Sequence, residues 1–231
     1  MTAVEIRAEL LRRRDIDQAA RAAVGERDPH QVERAIEIDD DNAVWLSNVV
    51  DQLGWPGASL AGEDGAHAAW LLAQHADRYP VFQRRCLELM EKAAAAGEAA
   101  KADLAHLTDR VLLASGKLQR YGTQMTARDG KYMPCRLTEP EKVNTRRMAV
   151  GLEPLEDQLA RAAALYGPPR PARMPCPRCG VECEIWLPEM GGASSARCVS
   201  CGYVIRIRAR VPRGVALNGR AQEANSITRA R

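Results

Sequence analysis

Two short cysteine pairs constrain this chain more than any other feature. Cys176-Pro177-Arg178-Cys179-Gly180 and Cys198-Val199-Ser200-Cys201-Gly202 form a C-x2-C-x18-C-x2-C pattern. Each pair sets two thiolates on one tight turn, and the glycine after it permits the positive φ that closes such a turn. Four thiolates at about 2.3 Å from a common centre suit tetrahedral Zn2+. Residues 182–187 and 203–210 have strand character, with Gly191-Gly192 in the loop between them. The expectation is a zinc ribbon over residues 176–211 with one structural zinc bound by Cys176, Cys179, Cys198 and Cys201. A metal held by four protein ligands has no open position, so no catalytic role is expected for it. Disulfides are the competing reading; the knuckle spacing and a cytoplasmic setting argue against them. Cys183 reads as a spare strand residue, and Cys135 is unassigned.

Charge sets the same end of the chain apart. Residues 168–231 carry eleven arginines, no lysine and four acids, a formal +7 within a total of +3. The segment Ile205-Arg206-Ile207-Arg208-Ala209-Arg210-Val211 alternates apolar and basic side chains. As a strand it would bury its isoleucines and present Arg206, Arg208 and Arg210 on the other face. That face can contact phosphates or simply be solvated. Nucleic acid or another anionic or protein partner is the expectation for this end. Residues 212–231 lack a core-forming pattern and are expected to be a disordered basic tail. Residues 166–175, YGPPRPARMP, read as a proline-rich linker.

Residues 1–165 carry helical periodicity. Hydrophobic residues make up 46% of the chain and aromatics only 4%, with one phenylalanine, so the core must rest on aliphatic side chains and alanine. No apolar run approaches the ~20 residues of a membrane span. The N-terminus lacks the apolar region of a secretory signal, so the cytoplasm is the expected compartment. A helix is predicted over 3–24 from the stripe Ile6, Leu10 and Leu11. Pro29 suits a first helical position. Asp39-Asp40-Asp41 reads as the cap of a further helix over 42–53, or less simply as a hard-cation site. Tyr79-Pro80 opens another helix, with Phe82, Cys86, Leu89, Met90 and Ala93 on one face and Cys86 a core thiol. A helix over 100–115 follows, with Leu104, Leu107 and Val111 inward. Residues 119–125 and 131–137 read as a hairpin turning at Asp129-Gly130. Two helices follow, near 140–149 and 154–165. The fold class is mainly α: a helical domain over 1–165 with a small hairpin near 118–137, then a small β zinc ribbon.

The stretch 54–79, GWPGASLAGEDGAHAAWLLAQHADRY, holds the densest polar signal. A turn at 54–57 precedes a helix predicted from about Gly62 to Arg78. At ~100° per residue, Glu63, His67, Trp70, Gln74 and Asp77 share a stripe that reads as a solvated face. Glu63 and His67, four apart, make a weak metal pair. His75 falls on a mostly apolar arc. It is then either a buried histidine bonded to backbone or a pocket histidine acting as acid, base or ligand.

The stretches GWPGASLAGEDGAHAAWLLAQHAD (54–77), FQRRCLELMEKAAAAGEAAKADLAHLTDRVL (82–112), LQRYGTQM (118–125) and VNTRRMAVGLEPL (143–155) together resemble a bacterial family of mostly helical proteins of unknown function. The resemblance spans about residues 5–165 and leaves the cysteine pairs outside it. It implies a shared fold and a shared site, and no reaction. The site it implies would draw on Glu63, Gln74, His75, Asp77, Asp109, Arg110, Tyr121, Thr123, Gln124, Arg146 and Arg147. In a hydrolytic pocket, His75 would be the general base, Asp109 would orient it and Arg110 or Arg147 would hold an anion, with Tyr121 and Gln124 alongside. The alternative is a buried polar network joining the helices to the hairpin.

Overall fold

The structure, a computed structural model, describes residues 1–23, 29–187 and 193–208. Gly191-Gly192, Arg210 and the expected tail at 212–231 lie outside the described residues. The described residues fall into two compact units, one within Met1–Ala99 and one within Ala100–Val211. The division comes inside the stretch that periodicity reads as one helical domain.

The first unit is made of helices α1 (Ala3–Ala23), α2 (Pro29–Leu53), α3 (Ala58–His75) and α4 (Pro80–Ala95). α3 is its centre and packs on each of the other three. Its small residues let α1 approach closely: a Cβ added at Gly65 would lie 3.4 Å from Cγ of Arg7 and 3.8 Å from Cδ1 of Leu10. This position also corrects the solvated-stripe reading, because Trp70 and Gln74 are buried while Glu63 and His67 are exposed. A helix with neighbours on several sides has little face left for water. The predicted start holds in modified form. Gly62, at φ 71° and ψ 163°, breaks the helix, with one turn before it from Ala58 and the main run after it.

The acids Asp39-Asp40-Asp41 do not cap a helix, since α2 runs through them unbroken. Each faces an arginine instead: Asp39 pairs with Arg21, Asp40 with Arg78, and Asp41 with Arg13. Three adjacent carboxylates tolerate a helix interior because neighbouring segments supply a cation to each. α4 follows its predicted stripe, with Phe82, Cys86 and Met90 buried. Burial pushes the Cys86 thiol far above its usual range, in keeping with a core role.

The second unit begins with α5 (Lys101–Ala114) and a hairpin of β1 (Met125–Arg128) and β2 (Lys131–Pro134). The turn is at Asp129-Gly130, both at positive φ. Its first arm lies later than predicted, because residues 119–124 form a loop. A 3-10 turn (Pro140–Lys142) leads into α6 (Val143–Met148), and α7 (Leu155–Tyr166) follows. β3 (Ala172–Pro175) pairs antiparallel with β4 (Glu182–Ile185), and β5 (Ala193–Arg197) with β6 (Val204–Arg208). The proline-rich segment is therefore linker only in its first part. Ala172 and Met174 pack on the ribbon core, which draws that end into a strand.

Candidate functional site

The two hairpins carry one cysteine pair each. In both, the amide of the first cysteine donates across the turn, Cys176 to the carbonyl of Val181 and Cys198 to that of Tyr203, each at 2.8 Å. The glycine after each pair donates back to its first cysteine, and Gly180 and Gly202 stand at φ 75° and 69°. The two knuckles are thus one motif used twice. They meet with Cys176 Sγ 3.7 Å from Cys201 Sγ and Cys179 Sγ 3.6 Å from Cys198 Sγ. A tetrahedron of ~2.3 Å bonds has edges of ~3.8 Å, so these separations suit four ligands of one ion. None of the cysteines is in a disulfide. Amides of Cys201 and Ser200 aimed at Cys198 pull its thiol down to about 6, while burial and the neighbouring thiols push Cys201 up to about 12. These four cysteines form a cluster that can hold a metal ion. Cys183 is a buried residue of β4, as expected, and packs in the same cluster as Cys176 and Cys198. Cys135 is buried as well.

The outer face of the second hairpin is basic. Ile205 and Ile207 pack toward the cysteine cluster with Ala196, so alternation turns Arg206 outward, where it is exposed. Ser195 is its cross-strand partner. Arg197 lies on that same face and is also exposed. The sequence reading missed it because it sits next to Cys198 and outside the alternating segment. Arg208 pairs with Ala193 at the end of β6.

The polar residues of the helical region divide between the two units: His75 is in the first, and Asp109, Arg110, Tyr121 and Gln124 are in the second. Asp109 is completely buried. Its Oδ1 accepts the amides of Arg120 (2.6 Å) and Tyr121 (3.0 Å), and its Oδ2 accepts the amide and hydroxyl of Thr123 (2.9 and 3.0 Å). These bonds use the acceptor capacity of the carboxylate. Arg147, also fully buried, donates to the carbonyls of Glu153 and Tyr121 and to Gln158. Arg110 donates to Gln124 Oε1 at 2.9 Å. Gln119 holds the same loop from inside, donating to the carbonyls of Gln124 and Cys135 and accepting the amide of Gln124. The guanidinium of Arg120 covers the ring of Tyr121 at 5.5 Å. In the second unit these residues therefore suspend the loop 119–124 from α5, α6 and α7.

His75 has different company. The carboxylate on its Nδ1 is Asp17, at 3.0 Å, rather than Asp109 or a backbone carbonyl. Nε of Arg21 also reaches Nδ1 at 3.0 Å, and its Nη2 bonds Asp39 at 2.5 Å. Gln18 donates to the other oxygen of Asp17 at 2.8 Å. Asp17 is 1% exposed. Burial works against its ionisation, but the hydrogen bond and charge of His75 and the charge of Arg21 prevail and bring it to about 2. For Asp39 burial prevails over Arg21 and His75, and it rises to about 6. The sequence did hold a signal for Asp17. The inward stripe Ile6, Leu10 continues at the same helical spacing as Arg13 and Asp17, and all four are buried.

Residues 4–168 match the model of a family of unknown function. The chain belongs to the family of unknown function DUF6624. Neither the curated proteins nor the solved structures contain a match to it. The DUF6624 region includes both the His75 cluster and the suspended loop, and it ends before the cysteine cluster. No described helix is long and apolar enough to cross a membrane.

Proposed function

We propose that this DUF6624 member is a binding protein whose four cysteines hold one structural Zn2+ and whose basic ribbon face contacts nucleic acid. The observation that carries the reading is the approach of two like knuckles to tetrahedral spacing beneath an outward face bearing Arg197 and Arg206. All-thiolate donors favour a soft or borderline ion, and four of them close the coordination sphere. The ion then fixes the two hairpins, and the hairpins hold the arginines. The excess of arginine beyond residue 168 adds long-range attraction for phosphates.

Metal analysis of the full chain should give one zinc per chain, and Cys198→Ser should lose it. Fluorescence anisotropy with a single-stranded or duplex oligonucleotide tests the partner. The double variant Arg197→Ala/Arg206→Ala should weaken binding uniformly across sequences and lower the salt slope by about one to two, as expected for lost phosphate contacts. Absent binding would remove nucleic acid as the partner, and binding unchanged in the double variant would remove this face as its contact. Zinc content would remain a separate matter.

A further inference from the structure

The cluster at the end of α1 is built around a cation. Asp17, Asp39 and His75 each offer one ligand atom, and the three atoms lie within 4.8 Å of one another. They come from α1, α2 and α3, so the packing of the first unit sets their spacing. The guanidinium of Arg21 lies among them, its Nε 3.3 Å from Asp17 and 3.0 Å from His75 Nδ1, and its Nη2 2.5 Å from Asp39. His75 Nδ1 and Asp17 Oδ1 are themselves 3.0 Å apart. Two lone pairs at that distance repel unless a proton or a cation mediates, and the Nε–H of Arg21 reaches both. Two carboxylates face one guanidinium and one imidazole here.

We infer that Asp17, Asp39 and His75 form a second metal seat, for a divalent ion that prefers oxygen and nitrogen ligands, with Arg21 as the tethered cation that such an ion displaces. Arg21 can leave: it is two residues from the end of α1, and its side chain is 35% exposed. Asp17 cannot, and the Gln18 amide on its second oxygen fixes its orientation as outer contacts do in metal sites. One imidazole and two carboxylates suit Mn2+, Fe2+ or Zn2+ better than thiolate-seeking ions. Three protein ligands also leave positions for water or a substrate oxygen, unlike the closed cysteine cluster. The seat is independent of the ribbon and of its proposed partner.

Mn2+ is the probe, because it competes poorly for thiolates. The full chain, loaded with zinc, is titrated with Mn2+ while the resonance signal of the free ion is followed. One Mn2+ per chain should be taken up. Asp39→Asn should weaken binding by at least about tenfold, the lower end of what losing even an outer-shell contact costs in metal sites. Arg21→Met keeps the apolar stem and removes the competing cation, so it should bind more tightly; a misfolded variant cannot imitate that gain. Cys198→Ser should bind Mn2+ as the wild type does. Failure of the wild type to bind overturns the inference whatever the variants do. So does equal binding by Asp39→Asn, or binding lost together with the ribbon cysteines.

Discussion

Single residues decide more here than their number suggests, because several are polar and buried. His106 is one. Burial lowers its pKa below the ordinary 6.5, against the pull of Asp103 and Asp109. The unfolded chain then takes up a proton that the folded chain refuses as pH falls below about 6.5. Stability contributed by the neutral ring is present above that value and is lost progressively below it. Urea unfolding at pH 7 and pH 5 should show a smaller drop for His106→Gln than for the wild type. Gly122 matters through its backbone. Its φ is 70°, and an added Cβ would meet Leu155 Cδ1 at 3.1 Å. Gly122→Ala should therefore cost on the order of 1–3 kcal/mol in chemical denaturation, from backbone strain and crowding together.

At the scale of elements, the clearest case is the loop 119–124. It has no ladder partner beyond the bridge of Gln119 with Leu137. The amides of Arg120, Tyr121 and Thr123 are satisfied by one carboxylate, that of Asp109. Removing that side chain leaves several buried donors unpaired, each costing about 1–3 kcal/mol unless water enters. Asp109→Ala should destabilise the second unit by about 2–4 kcal/mol once partial solvation is allowed for. Amide exchange at Arg120, Tyr121 and Thr123 should quicken more than exchange in β1 and β2. The helices of the first unit depend instead on aliphatic packing. Leu46 is completely buried in α2, and Leu46→Ala should cost about 2–5 kcal/mol, according to how far the site collapses.

At the scale of the molecule, metal and helices should respond separately. The cysteine cluster packs with Ile185 and Ile205, and no helix residue belongs to that cluster. Chelation should therefore melt β3 to β6 while leaving most of the far-ultraviolet helical signal in place. Loss of the helical signal with the metal would show that the helices depend on the ribbon.

The sequence by itself determined the cysteine pairs of the cluster, because a C-x2-C knuckle is a local object: its sulfurs are placed by four residues and a glycine. It also determined the order of helices and hairpin and the core thiol Cys86, since each is written in short-range periodicity. It resolved the family pattern but not what the pattern's polar residues do. Asp109 can orient a histidine or cap a loop, and its own helix carries no mark of which. Only the tertiary structure showed that Arg120, Tyr121 and Thr123 turn their amides onto it. Asp39 similarly reads as a helix cap until α2 is seen to run through it and Arg21 is seen to face it. His75 gained Asp17, 58 positions earlier, because α1 lies against α3. A side chain's partner across such a distance is fixed by helix packing, and the spacing of residues along one helix carries no information about the neighbour it will meet.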